Sequence, residues 1–324
     1  MTEERAPQGP ALRLVRRLPL RQILCLLPLV LVGIFAARHW RVLAEGFREL
    51  GSAEWPWVAA AGAATCLAWV AAAFSRQGAV AEPLPPMRLL VTQFASGTAN
   101  HLLPTGLGAS AVNLRFMTVH GIPVARSTAA LALYLLAESI ARVGLLVVLL
   151  LAFPDALRLG TLVPEHAIAP LLITLGALTV AATLVFLLVR RVRAPALSFL
   201  RTAFGEAKLV HTRPARVLAL WGGSFAFPAL QAAGLVAVGL ALGLDIPVMH
   251  MALAYLAATC AVALVPTPGG IGSVEAALVV ALVAAGSPAA VATAVVLGFR
   301  IITVWVPLLP GALVLGALVR LKVI

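Results

Sequence analysis

Apolar residues run along this chain in long blocks, and two places break the blocks in the same way. At the first, Leu102-Leu103-Pro104-Thr105 ends an oily run, Gly106-Leu107-Gly108 follows, and a new run begins at Ala109. At the second, Leu264-Val265-Pro266-Thr267 is followed by Pro268-Gly269-Gly270-Ile271-Gly272, and a new run begins at Ser273. Pro104 and Pro266 stand 162 residues apart in a chain of 324, half its length. Proline lacks the N–H that a helix needs, and glycine loses most backbone freedom there, so both breaks predict helices that stop and restart. The arms beside the breaks, Leu89–Leu103 with Ala109–Val119 and Val248–Val265 with Ser273–Ala285, are shorter than the roughly 20 residues of a full crossing. They predict two re-entrant helical hairpins, over 89–119 and 248–285. Broken helices in matching positions of two halves mark a transport site near the bilayer midplane.

The remaining blocks predict full spans: Ile23–Ala37, Trp55–Phe74, Ser127–Phe153, Ile168–Val189, Val217–Leu242 and Ala289–Leu318. The expected fold is therefore an all-α polytopic membrane protein with six spans and two hairpins. After a basic N-terminus, 1–21, residues 22–160 form one repeat and 161–320 a second, each reading span, span, hairpin, span. Three crossings in the first half put the second on the opposite side, which makes the repeat inverted in topology. The two broken tips then enter from opposite faces and approach each other.

Composition agrees with this reading. The chain is 62% hydrophobic and 11% charged, with a mean hydropathy of +1.03, whereas soluble domains carry about 25% charge. The formal net charge of +12 does not indicate nucleic acid, because the charges sit in short loops and termini between oily spans. With the N-terminus inside, segments 1–21, 75–88, 120–126, 190–216 and 319–324 carry 17 of the 24 Lys and Arg, and the outside segments carry 4. That asymmetry favours cytoplasmic N- and C-termini. Arg16-Arg17 precedes the first apolar run as in a secretory signal, but no small-residue cleavage site follows, so an uncleaved first span is expected. Residues 190–216 hold seven basic residues and one acid, Glu206, and read as a cytoplasmic amphipathic segment against anionic lipid. Cys25, Cys66 and Cys260 lie singly in apolar runs and imply neither a disulfide framework nor a metal site.

Ionisable residues inside a bilayer are costly, about 2.5–3.5 kcal/mol each on insertion scales, so each needs a reason. Asn100 and His101 stand just before the first break, as a helix cap or as head-group contacts. Arg115 reads as a snorkelling residue at the cytoplasmic end of the hairpin or as part of an anion site. Glu138 and Arg142 are four apart on one helix and read as a local ion pair. Glu275 falls in the first turn of the restarted helix, where it complements the dipole or acts as a coupling carboxylate. Arg300 has no acid near it in sequence and reads as functional. Helix N-termini beside arginine suit an anion, and long apolar spans around it suit a phospholipid or polyprenyl phosphate better than a soluble sugar. Pro307 and Pro310 are expected to kink the last span, and small residues such as Ala59–Ala64 around Gly62, and Gly239 with Gly243, to allow close helix packing. No nucleotide-binding loop, HExxH pair, aspartate-rich metal motif or nucleophile elbow is present. No cofactor is expected, and the chain reads as a non-enzyme.

Taken together, Leu103-Pro104 with its glycines, Arg115 and Gly121, the span carrying Glu138, the run Pro266-Thr-Pro-Gly-Gly-Ile-Gly-x-Val-Glu275, and Phe299-Arg300 followed by Trp305-x-Pro307-Leu-Leu-Pro-Gly311 resemble the lysylphosphatidylglycerol synthase transmembrane, flippase-like family. The resemblance covers nearly the whole chain. It implies a bacterial inner-membrane protein that translocates an anionic phospholipid or lipid-linked precursor. The alternative is a non-transporting membrane scaffold or accessory subunit that presents lipid to a separate enzyme. The protein partners expected are such a membrane enzyme or further copies of this chain in a homo-oligomer. The chain stops at Ile324, so lysyl transfer from tRNA is not expected. Ser139 stands where members often have Arg, and Phe299 where Tyr often precedes Arg.

Overall fold

The computed structural model describes residues 40, 41, 44, 48, 51, 53–102, 107–154, 190–263, 272–321 and 323, with the backbone alone for 190–196. The expected spans Ile23–Ala37 and Ile168–Val189, the basic segment 1–21, and the break residues Pro104, Gly106, Pro266, Pro268, Gly269 and Gly270 lie outside the described residues.

Among the described residues the protein is helical, with no strand. The helices are α1 (Trp55–Gly78), α2 (Pro86–Leu102), α3 (Gly108–Val119), α4 (Val124–Ala152), α5 (Arg190–His211), α6 (Pro214–Ala241), α7 (Val248–Val262), α8 (Ser273–Ala284), α9 (Ala289–Arg300) and α10 (Val306–Arg320). Proline and glycine punctuate them. Pro86 and Pro214 open α2 and α6, and Pro123, Pro247 and Pro288 immediately precede α4, α7 and α9. The fixed φ of proline suits a first turn, where its missing N–H has no partner to lose. At the other ends, Gly121, Gly243 and Gly286 take positive φ of 85°, 67° and 107°. Ile122, Leu244 and Ser287 then donate back to the carbonyls of Met117, Gly239 and Leu282. These are Schellman closures, which satisfy carbonyls left open by the last turn. Gly243 is thus a helix stop, not the packing residue its spacing from Gly239 predicts.

Four helical stretches are long and apolar enough to cross a membrane: α1, α4, α6, and the continuous run of α9 and α10 from Ala289 to Arg320. On α4, Leu136, Ile140, Val143, Val147 and Leu151 are exposed. In a multi-pass membrane protein that face meets lipid, which the hydrophobic effect does not penalise.

At the centre α1 and α6 pack antiparallel along their whole length, from Glu54, whose N–H donates to the Ala241 carbonyl at 2.9 Å, to Gly78 beside Leu220. The Ser75 and Ser224 hydroxyls meet at 3.1 Å in the buried seam. Small residues make this approach possible. A Cβ at Gly78 would overlap the Leu220 backbone, and one at Gly223 would lie 2.5 Å from both the Ala71 oxygen and the Ser75 nitrogen. Gly62, inside the expected small-residue stretch, has open space around it, although Ala61 and Ala64 are buried as expected. Gly78→Ala or Gly223→Ala is therefore expected to lower stability by about 1–3 kcal/mol through overpacking, whereas Gly62→Ala leaves it unchanged. Denaturant unfolding in detergent micelles reads the difference.

The short helices form two packed pairs, α2 with α3 and α7 with α8. With 12 to 17 residues each, they are about 18–26 Å long at 1.5 Å per residue, short of the ~30 Å hydrocarbon core. The pairs dock on the long helices: α2 lies against α10 and α1, and α7 lies against α6 and α4. The basic helix α5 is bolted to the bundle at one end. Arg126 on α4 holds both Glu206 carboxylate oxygens and also Glu82. Val210 is fully buried, while Phe204 on the same helix is 73% exposed.

Candidate functional site

A cavity of about 570 Å³ opens where the two short-helix pairs meet the long helices. This is within the roughly 300–1,000 Å³ typical of ligand sites. Asn100 and His101 at the end of α2 and Ala109 at the start of α3 line it, as do Val262 and Ala263 at the end of α7 and Val274 at the start of α8. The helix ends on either side of both breaks thus face one space. Long helices supply the rest, among them Trp69 and Arg76 of α1, Arg142 of α4, Gln231 of α6, and Arg300 and Thr303 of the last span.

The close contact inside the first pair rests on Gly108. It is buried at the start of α3, and a Cβ there would overlap the Ala99 carbonyl and come within 2.8 Å of the Asn100 nitrogen. At the second pair Gly272 takes φ +86°, a conformation that side chains resist, and gives its N–H to Glu275 Oε2 at 2.6 Å.

Three arginines line the cavity, and two are neutralised. Arg300 Nε donates to Glu275 Oε1 at 2.6 Å; the two side chains are only 10% and 24% exposed. Arg300 thus has an acid after all, brought from α8 by the fold rather than by sequence proximity. Arg76 donates to Glu138 at 2.6 Å and to the Ala72 carbonyl, and its guanidinium lies 4.3 Å from the Tyr134 ring centroid. This corrects the local pairing of Glu138 with Arg142. Tyr134, one turn before Glu138, gives the Arg76 guanidinium a ring face, and the carboxylate completes that seat from the neighbouring helix. Arg142 is left over: its Nε is buried without a hydrogen-bond partner, and no ion pair reaches it among the described residues.

The other expected site residues divide. Asn100, His101 and Arg300 line the cavity; Glu275 and Glu138 stand behind it, holding its arginines. Arg115 is exposed on α3 and does not line the cavity. Sequence reasoning missed Arg76, which was assigned to a cytoplasmic loop because the oily run ends at Phe74; the helix continues to Gly78. It also missed Gln231 and Tyr255, whose side chains hydrogen-bond each other at the wall. Two polar groups within apolar runs were the available signal. Beside Arg300, residues Ile301–Trp305 form a π-helical turn, and the Val306 N–H reaches the Ile301 carbonyl five residues back. Pro307 follows, without an N–H to give the Thr303 carbonyl four residues back. Such turns inside α-helices are frequent at functional sites.

The 162-residue spacing of the breaks reappears in the walls. Trp69 and Gln231, Gln93 and Tyr255, Gly97 and Thr259, Asn100 and Val262, His101 and Ala263, and Arg142 and Val304 are each 162 apart, and all twelve line the cavity. In the last three pairs the first half is polar or charged and the second half apolar. Among the described residues, no group of three His, Cys, Asp or Glu side chains comes together to hold a metal ion.

No curated protein matches this chain. The family model described as the lysylphosphatidylglycerol synthase TM region matches residues 20–311, so the chain belongs to that family.

Proposed function

We propose that the protein moves an anionic lipid, a phospholipid or a polyprenyl-phosphate precursor, across the bacterial inner membrane. The head group enters the arginine-lined cavity while the tails stay in the bilayer. The observation that carries this reading is the cavity itself: three arginines and a set of polar side chains gathered between two broken helix pairs, in a bundle whose long helices otherwise present apolar faces. Membership of a family named for the membrane region of a lipid synthase supports it. The protein does no covalent chemistry in this account and acts as a carrier rather than an enzyme.

The transport mechanism rests on the two halves being inverted repeats whose short-helix pairs are re-entrant hairpins. Three observations support that: the antiparallel α1–α6 pair, the contact of α2 with α10 matched by that of α7 with α4, and cavity residues that pair at the same spacing as the breaks. Rocking one half against the other around the tips gives alternating access. Helix α5, basic and carrying exposed Phe204, rests on the anionic cytoplasmic leaflet in this arrangement.

The test is reconstitution. Purified protein in liposomes containing fluorescent phosphatidylglycerol is expected to expose inner-leaflet label to an external quencher within minutes, while protein-free liposomes keep it protected. Lipid binding without transfer would contradict the reading and would indicate a subunit that presents lipid to a separate enzyme.

A further inference from the structure

The two ion pairs behind the cavity leave a charge imbalance that identifies its binding group. Arg76 and Arg300 are each held by a carboxylate at 2.6 Å. Arg142 lines the same cavity, its Nε is buried without a partner, and no hydrogen bond or ion pair reaches it among the described residues. An uncompensated guanidinium in a membrane interior is among the most costly groups a helix can carry. A carboxylate could have been placed opposite it; the position 162 residues away, also on the cavity wall, is Val304. Nothing at that matching position neutralises or replaces it.

We infer that Arg142 is the phosphate-binding residue of the cavity, and that its ligand is a lipid whose only charged group is a single phosphodiester. This rests on the lipid-carrier reading and deepens it. Three arginines against two glutamates leave one positive charge, which one phosphodiester anion cancels. A diphosphate would bring at least one negative charge beyond what the arginine set cancels, with His101 the other basic group on the wall. The five N–H donors of guanidinium match two phosphate oxygens side by side. The apolar residues Val262, Ala263 and Val304 occupy the opposite half-site, so the phosphate is held on the side supplied by the first half of the chain. Arg76 and Arg300 are positioning residues here, since each already gives a nitrogen to a carboxylate. Arg76 Nε is buried without a partner, as Arg142 Nε is, so what sets Arg142 apart is that no carboxylate reaches it among the described residues.

The experiment uses the full chain in phosphatidylcholine nanodiscs, with binding of fluorescent phosphatidylglycerol, phosphatidic acid and an undecaprenyl diphosphate measured by titration, and inorganic phosphate as competitor. Wild type is expected to bind phosphatidylglycerol at least tenfold more tightly than the diphosphate lipid, with millimolar phosphate competing weakly. Arg142→Gln is expected to lose tenfold or more in phosphatidylglycerol affinity, and Arg142→Lys to recover part of it. The melting temperature of lipid-free Arg142→Gln is expected to equal or exceed that of wild type, because the variant removes a buried unpaired charge; a structural arginine would give the opposite shift. Unchanged phosphatidylglycerol affinity in Arg142→Gln overturns the assignment, as does a lower lipid-free melting temperature in both variants. Equal or tighter binding of the diphosphate lipid overturns the phosphodiester assignment. The carrier reading fails separately: wild type that binds but does not transfer lipid leaves Arg142 in place as a binding residue and removes transport.

Discussion

Replacing Glu275 by alanine is expected to cost about 3–5 kcal/mol of stability. Glu275 does two things at once. One oxygen accepts from Arg300 and the other from the Gly272 N–H, both at 2.6 Å. Its removal strands a mostly buried guanidinium, and breaking one side of a buried pair costs about that much because the remaining charge has lost its partner. It also opens the start of α8, where the chain leaves the second break. The double variant Glu275→Leu with Arg300→Met is expected to recover most of the loss, since removing both charges leaves nothing uncompensated. Lipid transfer is not expected to recover, because Arg300 itself lines the cavity. Unfolding in detergent, run beside the liposome assay, separates the two effects. A double variant as unstable as the single one would show that the pair is not what holds α8 to the last span.

Gly108→Ala is expected to be nearly as damaging, about 3 kcal/mol, at the top of the usual range for overpacking. The atoms that a new Cβ meets are the Ala99 carbonyl and the Asn100 nitrogen, all backbone. No rotamer change relieves them, so α2 and α3 must part. Asn100 and His101 ride on that stretch of α2, and parting the helices shifts them on the cavity wall. Both stability and transfer are expected to fall. Gly97→Ala, on the same helix but with nothing within 4 Å of the new carbon, is the control and is expected to be within 0.5 kcal/mol of wild type, as for a residue away from any packing contact.

The parts legible in the sequence were those written as punctuation. Proline and glycine marked where helices stop and restart, and the matching breaks announced two short-helix pairs whose ends share one cavity. Asn100 and His101 were found because polar residues beside a break have few other uses. The parts that were not legible depend on which helix faces which. Glu138 and Arg142 have the spacing of a self-contained pair, yet Glu138 turns to Arg76 because Tyr134 seats that guanidinium from one turn away. Arg76 itself hid in the charge count of a loop, since a helix that outruns its oily stretch by one turn leaves no mark in hydropathy. Arg300 looked solitary because its acid lies 25 positions earlier across a helix boundary. Gly78 and Gly223 carry the closest packing and Gly62 does not, a distinction that no spacing of small residues reveals without knowing the α1–α6 register. The π turn at Ile301–Trp305 sits in a run that reads as ordinary span.

The account depends most on the ends of the two short-helix pairs facing each other inside the bilayer. The direct measurement is thiol cross-linking in native membranes, in a chain with Cys25, Cys66 and Cys260 replaced by alanine and Asn100→Cys combined with Ala263→Cys. A short bifunctional thiol reagent is expected to join the two positions within one molecule, and a transported lipid added in excess is expected to slow the reaction. Two cysteines that each react singly with a monofunctional thiol reagent but are never joined by the bifunctional one would contradict the shared cavity, and with it the site for a charged head group.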